Sequence, residues 1–300
     1  MSRIFVSGLV NTETTVRVRQ FPVPYYPIDY PFFGVNTAVS GVAYNIAKAL
    51  TTLGDQVKLA SLCGQDFTAE YIKSELMSLG IETDGVCAGL KATPSSVVLY
   101  DEEGKRQIYC DLKDIQESAY GFTREDLEEA DLVVACNINF NRPLLRMAKE
   151  AGKCIATDVH VLHNIWDEYN REFMEAAQIL FLSDEGIGHD YQVFLWQLAH
   201  TYPCQIIVLG RGAKGAAMYL RQEDRIHEFP AVSVGPVVNT VGAGDALFSG
   251  FLHYYAKGYD AVEALQRAQI FASAKIGANG ASQGFVTDDQ IQQWYIDLSK

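Results

Sequence analysis

The chain is short of positive charge: 24 lysines and arginines stand against 37 aspartates and glutamates in 300 residues, a formal net charge of −13. That shortage argues against a nucleic-acid or anionic-membrane partner, both of which recruit a basic face, and any anionic ligand must then be met by local features. No run of about 18 apolar residues is present, so nothing reads as a membrane span. The start, Met1-Ser2-Arg3-Ile4-Phe5-Val6, passes straight into strand-like sequence with no signal-peptide apolar region, and the cytoplasm is the expected location. Cysteines are sparse: Cys63, Cys87, Cys110, Cys136, Cys154 and Cys204 stand singly, without a CxxC pair or a Cys/His cluster at zinc spacing. Reduced thiols are expected, and with no metal spacing among the six histidines no resident metal site is expected. Repeats, low-complexity tracts and interdomain linkers are also lacking.

What is there is enough apolar sequence, 48% of the residues, to bury a full core in one main domain with a small appendage. Apolar runs of strand length at 57–62, 132–136, 154–159, 179–182 and 205–209 alternate with helical patterns at 67–79, 142–151 and 191–200. That alternation predicts a mostly parallel sheet covered on both faces, a three-layer α/β/α sandwich. Residues 14–19 and 95–111 instead alternate residue by residue, the latter turning through Asp101-Glu102-Glu103-Gly104, and predict half-exposed antiparallel strands in a small β lid. Between them, residues 22–33 hold four prolines and five aromatics and are expected to pack at a lid or a subunit contact.

The chemistry concentrates at Gly242-Ala243-Gly244-Asp245. Glycines permit a tight turn, and the apolar spacing of residues 246–257 places that turn at a helix N-terminus. Converging N–H groups and the helix dipole hold an anion there without lysine. Asp245 in the first turn reads either as a cap that satisfies the dipole or as a general base taking a proton from a hydroxyl that attacks a phosphoryl group.

The segment Thr240-Val241-Gly242-Ala243-Gly244-Asp245-Ala246-Leu247-Phe248-Ser249-Gly250 resembles the carboxy-terminal signature of the ribokinase or PfkB carbohydrate kinases. Gly41-Val42-Ala43-Tyr44-Asn45-Ile46-Ala47 resembles the family's first signature, and Gly8-Leu9-Val10-Asn11-Thr12-Glu13 the strand end that binds sugar hydroxyls. The resemblance spans nearly the whole chain. It implies one ribokinase-like domain over residues 1–300 with lid segments at about 12–35 and 95–111. It further implies Asp245 as catalytic base with Gly242, Ala243 and Gly244 as the anion hole, and Asn11, Glu13, Gly41 and Asn45 as substrate contacts. Gly212, Gly215 and Thr240 would touch ATP, Mg2+ would arrive with the nucleotide, and a homodimer through the lid would follow family habit. The implied activity is ATP-dependent phosphorylation of a sugar or sugar derivative, or of a nucleoside.

Three positions depart from the family. Asn239 stands where an aspartate commonly helps hold an activating monovalent cation, which argues against potassium activation. Ser183-Asp184-Glu185-Gly186 lies where an Asn-x-x-Glu motif organises phosphate and Mg2+, with Asp184 or Glu185 as substitutes or a solvated acidic loop. Glu13 replaces the usual aspartate, lengthening the side chain by one methylene. Beyond Arg17 and Arg19, no basic cluster lies near Asn11 or Asn45, which disfavours a phosphorylated sugar as acceptor. Asn137, Asn139, Asp158 and His160 follow strand ends and are weaker candidates. Two rival readings remain at this point. One is a non-catalytic sugar- or nucleoside-binding regulator. The other is a nicotinamide enzyme built on the GxGxxG of residues 210–215, which the hairpin-like alternation after it disfavours.

Overall fold

Alternation along the strands builds two cores at once. In β1 (Arg3–Ser7), Ile4 and Val6 enter one apolar cluster while Phe5 enters the cluster on the opposite face. The remaining strands are β2 (Asn11–Arg17), β3 (Val35–Ser40), β4 (Gln56–Cys63), β5 (Val86–Ala88), β6 (Ser95–Tyr100), β7 (Arg106–Asp111), β8 (Leu132–Ala135), β9 (Cys154–Val161), β10 (Ile179–Ser183), β11 (Ile206–Gly210), β12 (Ala216–Leu220) and β13 (Arg225–Phe229). The helices are α1 (Val42–Leu53), α2 (Phe67–Ser78), α3 (Glu125–Glu128), α4 (Arg142–Glu150), α5 (Arg171–Ala176), α6 (Tyr191–Thr201), α7 (Ala243–Ala256), α8 (Ala261–Lys275) and α9 (Asp288–Leu298). This computed structural model describes residues 2–188 and 190–298; Met1, His189, Ser299 and Lys300 of the expected 1–300 domain lie outside the described residues.

Nine strands form the central sheet in the order β13-β12-β11-β10-β9-β8-β1-β4-β5, parallel except at β12 and β13. Residues of α1, α2, α7, α8 and α9 cover one face and those of α4, α5 and α6 the other, as the three-layer expectation required. The five expected strands are β4, β8, β9, β10 and β11, each within two residues of its expected ends. On average each fully buried aromatic of the first core, such as Phe248 or Phe251, stabilises the fold by about 1.5–3 kcal/mol.

A second sheet of four strands, β3-β2-β6-β7, contains the segments expected to form the lid. Its hairpin turns where the sequence reading placed it, because the Asp101 carboxylate accepts from the N–H groups of Glu103 and Lys105. Strand β2 starts three residues before the expected residue 14, its first residue Asn11 pairing with Ser40. The expectation that residues 22–33 pack is not met within the chain: Tyr25, Phe32 and Phe33 are 88, 77 and 101% exposed. Arg19 ties the segment back with a two-pronged ion pair to Asp29 and lies 4.5 Å over the Tyr26 ring, and Asn36 donates to the Phe33 carbonyl.

Helix α7 starts at Ala243, three residues earlier than the apolar spacing alone predicted. Gly242 caps it at φ 79°, a conformation that costs an L side chain energy. Gly250, on the face toward α8, matters for a different reason. A Cβ there would lie 3.0 Å from Ala268 Cα, so glycine lets the two helices approach closely.

Candidate active site

Helix α7 and helix α1 meet at their N-terminal ends. Asn45 Nδ2, in the first turn of α1, donates to Asp245 Oδ2 at 2.7 Å across 200 residues of sequence. Gly41 makes that placement possible by its φ of 102°, and its missing Cβ would lie 2.5 Å from the Leu9 carbonyl oxygen. It therefore acts through backbone packing. The Oδ1 atoms of Asn45 and of Asn11 are buried and have no hydrogen-bond partner, while Asn11 Nδ2 donates to Ser96 Oγ at 3.3 Å. Two orphaned acceptors facing one site suit a ligand rich in hydroxyl donors.

Burial pushes the Asp245 carboxyl above the ordinary carboxylate range; His160 and the Asn45 hydrogen bond oppose the shift, Asp158 adds to it and Lys275 opposes it. Burial likewise raises Glu13, against the pull of Lys275 and Arg106. Lys275 is wholly buried, and desolvation draws its ammonium down to about 8 despite Asp245 and Glu13. Its Nζ donates to the Val241 carbonyl at the start of the glycine turn.

The turn itself presents donors. Ala243 N–H reaches Thr240 O at 3.2 Å and Ala246 N–H reaches Gly242 O at 3.0 Å, which leaves the N–H groups of Gly244 and Asp245 for a ligand. Gly244 is exposed, with nothing within 4 Å of a Cβ position, so an anion can approach the backbone there. These features fit the phosphates of a nucleotide. Asp158, His160 and Asp245 each place a ligand atom within 4.8 Å of the others, the one such set among the described residues and one that would admit a cation brought by the nucleotide. His160 reaches that position through a left-handed φ of 59°, held by its N–H bond to Asp158 Oδ1 at 2.7 Å.

Other candidates part company here. Asn137 bonds Asn170 and Asn139 bonds the Gln116 carbonyl, which makes both structural. Gly210, Arg211 and Gly212 open only a single 3-10 turn before antiparallel β12, as expected of a decoy for a dinucleotide site. Gly212 is open to ligand, whereas a Cβ at Gly215 would lie 2.0 Å from the Phe229 carbonyl oxygen, so Gly215 answers a hairpin constraint. A Cβ at Gly210 would lie 3.8 Å from Leu247 Cδ2, which places this loop beside α7. At the acidic loop, Ser183 Oγ accepts from Glu185 N–H and Gly186 packs on His163, so neither position carries the side chains of the usual motif. Sequence reasoning missed Lys275, Arg106 and Ser96, none of which sits in a motif.

A profile of the pfkB family carbohydrate kinases matches residues 1–288. The ATP-dependent ribose-1-phosphate kinase of Halopiger xanaduensis is 25% identical over 296 residues, 96% of each chain. The nucleoside kinase of Methanocaldococcus jannaschii is 23% identical over 296 residues, 97% of this chain and 96% of its own. Among solved structures, the microbiome-derived acarbose kinase Mak1 superposes with a TM-score of 0.88 at 24% identity over 97% of this chain and 98% of that one, a shared fold.

Proposed function

This chain belongs to the pfkB family of carbohydrate kinases and is a kinase of sugars or nucleosides, and from that premise we propose that it carries the γ-phosphoryl group of ATP to an acceptor hydroxyl with Asp245 as general base. The observation that carries this reading is the Asp245 carboxylate, raised in pKa, hydrogen-bonded to Asn45 and next to the free N–H groups of the glycine turn. The acceptor oxygen bonds to the γ-phosphorus as the bond to the β–γ bridging oxygen breaks. ADP leaves with that electron pair, and the hydroxyl proton passes to Asp245. The N–H groups of Gly244 and Asp245, with Gly242 and Ala243 shaping the turn, stabilise charge on the transferring group. Mg2+, arriving with ATP, would neutralise phosphate charge, with Asp158 and His160 beside it. Thr240 and Gly212 line the nucleotide side on this reading.

Asn11, Glu13 and Asn45 would hold the acceptor. Arg106, at the start of β7, lies close enough to Glu13 to oppose, with Lys275, the burial that raises its pKa. If Glu13 holds the acceptor, Arg106 is a basic group beside it that the local sequence lacked. The test is ADP release from Mg-ATP across sugars, nucleosides and phosphorylated sugars including ribose 1-phosphate. Turnover with at least one acceptor is expected, and binding without turnover would favour the regulator instead. An ATP-consuming reaction suits the cytoplasm on this reading, and no described helix is long and apolar enough to cross a membrane.

Two further expectations arise here. Asp245 must be ionised to accept a proton, and its pKa is raised, so kcat/KM should fall as pH drops through a value above the ordinary carboxylate range. A pH–rate profile that stays flat down to pH of about 4 would remove Asp245 as the base. On the lid, Val35, Val97, Ile108 and Tyr109 are exposed together with the aromatics of residues 22–33. Exposed apolar side chains gathered on one segment and sheet suit burial against a second copy, and a homodimer through the lid is expected. Light scattering at micromolar concentration should report twice the chain mass, falling to one chain mass in Ile108→Asp.

A further inference from the structure

We propose that Lys275 is a positioning residue for phosphoryl transfer, its ammonium standing beneath the phosphate turn where it holds the Val241 carbonyl and makes turnover independent of any added monovalent cation. The proposal rests on the reading that this turn holds the transferred phosphoryl group.

A wholly buried ammonium is costly to keep unless strong partners offset its desolvation. Lys275 has three kinds of partner. The Val241 carbonyl accepts from its Nζ, the carboxylates of Asp245 on α7 and Glu13 on β2 act on its charge, and it sits at the C-terminal end of α8, where the helix dipole favours a cation. No substrate atom can touch a side chain so enclosed, so its effect must pass through the turn.

The surrounding backbone shows how. Ile276, the next residue, accepts from the N–H groups of Val238 and Asn239 at 2.8 and 3.0 Å. Residues 238–241 are thus fastened to the end of α8 at both ends, by the Ile276 carbonyl and by Lys275. On the far side the Ala281 carbonyl oxygen occupies the space where a Gly242 Cβ would be, 2.2 Å away. The turn is held between two supports, and Lys275 is the charged one.

The same contacts compete with a bound monovalent ion at this place. Such an ion would need carbonyl and side-chain oxygens of the turn, but the Val241 oxygen is taken by the ammonium and Asn239 Oδ1 accepts from Val241 N–H at 2.8 Å. A covalently attached cation therefore does here what a dissolved one would otherwise do: it supplies positive charge that neither dissociates nor depends on the salt present.

The test compares initial rates of the wild type in KCl, NaCl and choline chloride at one ionic strength, alongside Lys275→Met and Lys275→Ala, with Mg-ATP affinity by calorimetry in the same salts. The wild type is expected to vary by less than about twofold in kcat and in Mg-ATP affinity. Lys275→Met should lose about 10–100-fold in kcat with little change in acceptor KM, the scale of removing one preorganised electrostatic group. Lys275→Ala should regain part of that loss in ammonium or potassium chloride, because the truncated side chain leaves room for an ion at the Val241 carbonyl. A wild type stimulated severalfold by potassium in rate or in Mg-ATP affinity overturns the proposal. So does a folded Lys275→Met with full kcat, or a Lys275→Ala whose loss no cation relieves. The wild-type salt series requires no variant to fold, and the calorimetric arm reads the outcome even without a known acceptor. Failure of the underlying kinase reading looks different: it appears as binding of Mg-ATP with no turnover of any acceptor by the wild type.

Discussion

Asp245→Asn should lower kcat at least about a hundredfold while the KM for ATP changes by no more than a few-fold, since positioned general-base catalysis contributes about 10²–10⁴ in rate. Asparagine keeps the shape and can still accept from Asn45, whose Nδ2 lies 2.7 Å from the carboxylate. What it loses is the ability to take a proton. The stability change runs the other way. The Asp245 pKa is raised in the folded state, so at neutral pH the ionised form opposes folding, and the neutral amide should leave the melting temperature unchanged or higher. A rate collapse without loss of fold separates chemistry from structure. ADP release and thermal unfolding of the two proteins, measured under one condition, provide the check; full turnover by the variant would exclude Asp245 as base.

Gly242→Ala should injure both fold and rate, whereas Gly244→Ala should injure rate alone. At Gly242 the backbone has φ 79° and an added Cβ would sit 2.2 Å from the Ala281 carbonyl oxygen. Left-handed strain of about 1–2 kcal/mol together with about 1–3 kcal/mol of overpacking should lower Tm by several degrees. The turn must then shift, moving the N–H groups that face the phosphate, and a rate loss beyond tenfold is expected. At Gly244 nothing lies within 4 Å of the new methyl, and alanine favours the helix by about 1 kcal/mol over glycine. The variant should melt no lower than the wild type. Its methyl would nevertheless stand where the anion approaches, so Mg-ATP affinity and kcat should fall. Equal thermal stability and equal rates for both variants would mean that the turn does not hold phosphate.

The parallel core was legible because its signals are short-range. Strands such as Ile206–Gly210 are continuous apolar runs that no solvated segment would tolerate, and glycines mark the turns between them. The glycine turn at the start of α7 was legible for the same reason: two glycines and an aspartate at a helix start constrain backbone and charge within four residues. The lid hairpin declared itself by alternation and by an acidic turn ending in glycine. Residues 22–33 left their partner open, because prolines and aromatics look alike in sequence whether they pack within a chain or wait at its surface for a subunit contact.

By itself, then, the sequence determined the element types, the α/β/α layering, and the glycine turn with its aspartate at a helix start, all consequences of periodicity and local backbone preference. Only the tertiary structure decided which distant groups share the site. It joined Asn45 to Asp245 across 200 residues, brought Asp158 and His160 to the same carboxylate, turned Arg106 toward Glu13 and buried Lys275 beneath the turn. Those pairings depend on strand order and on the close approach of α7 and α8 at Gly250, which are set by the packing of the whole core. A lysine at the end of a helix looks solvated in sequence; packing alone put this one in the core, where its charge acts undamped by water.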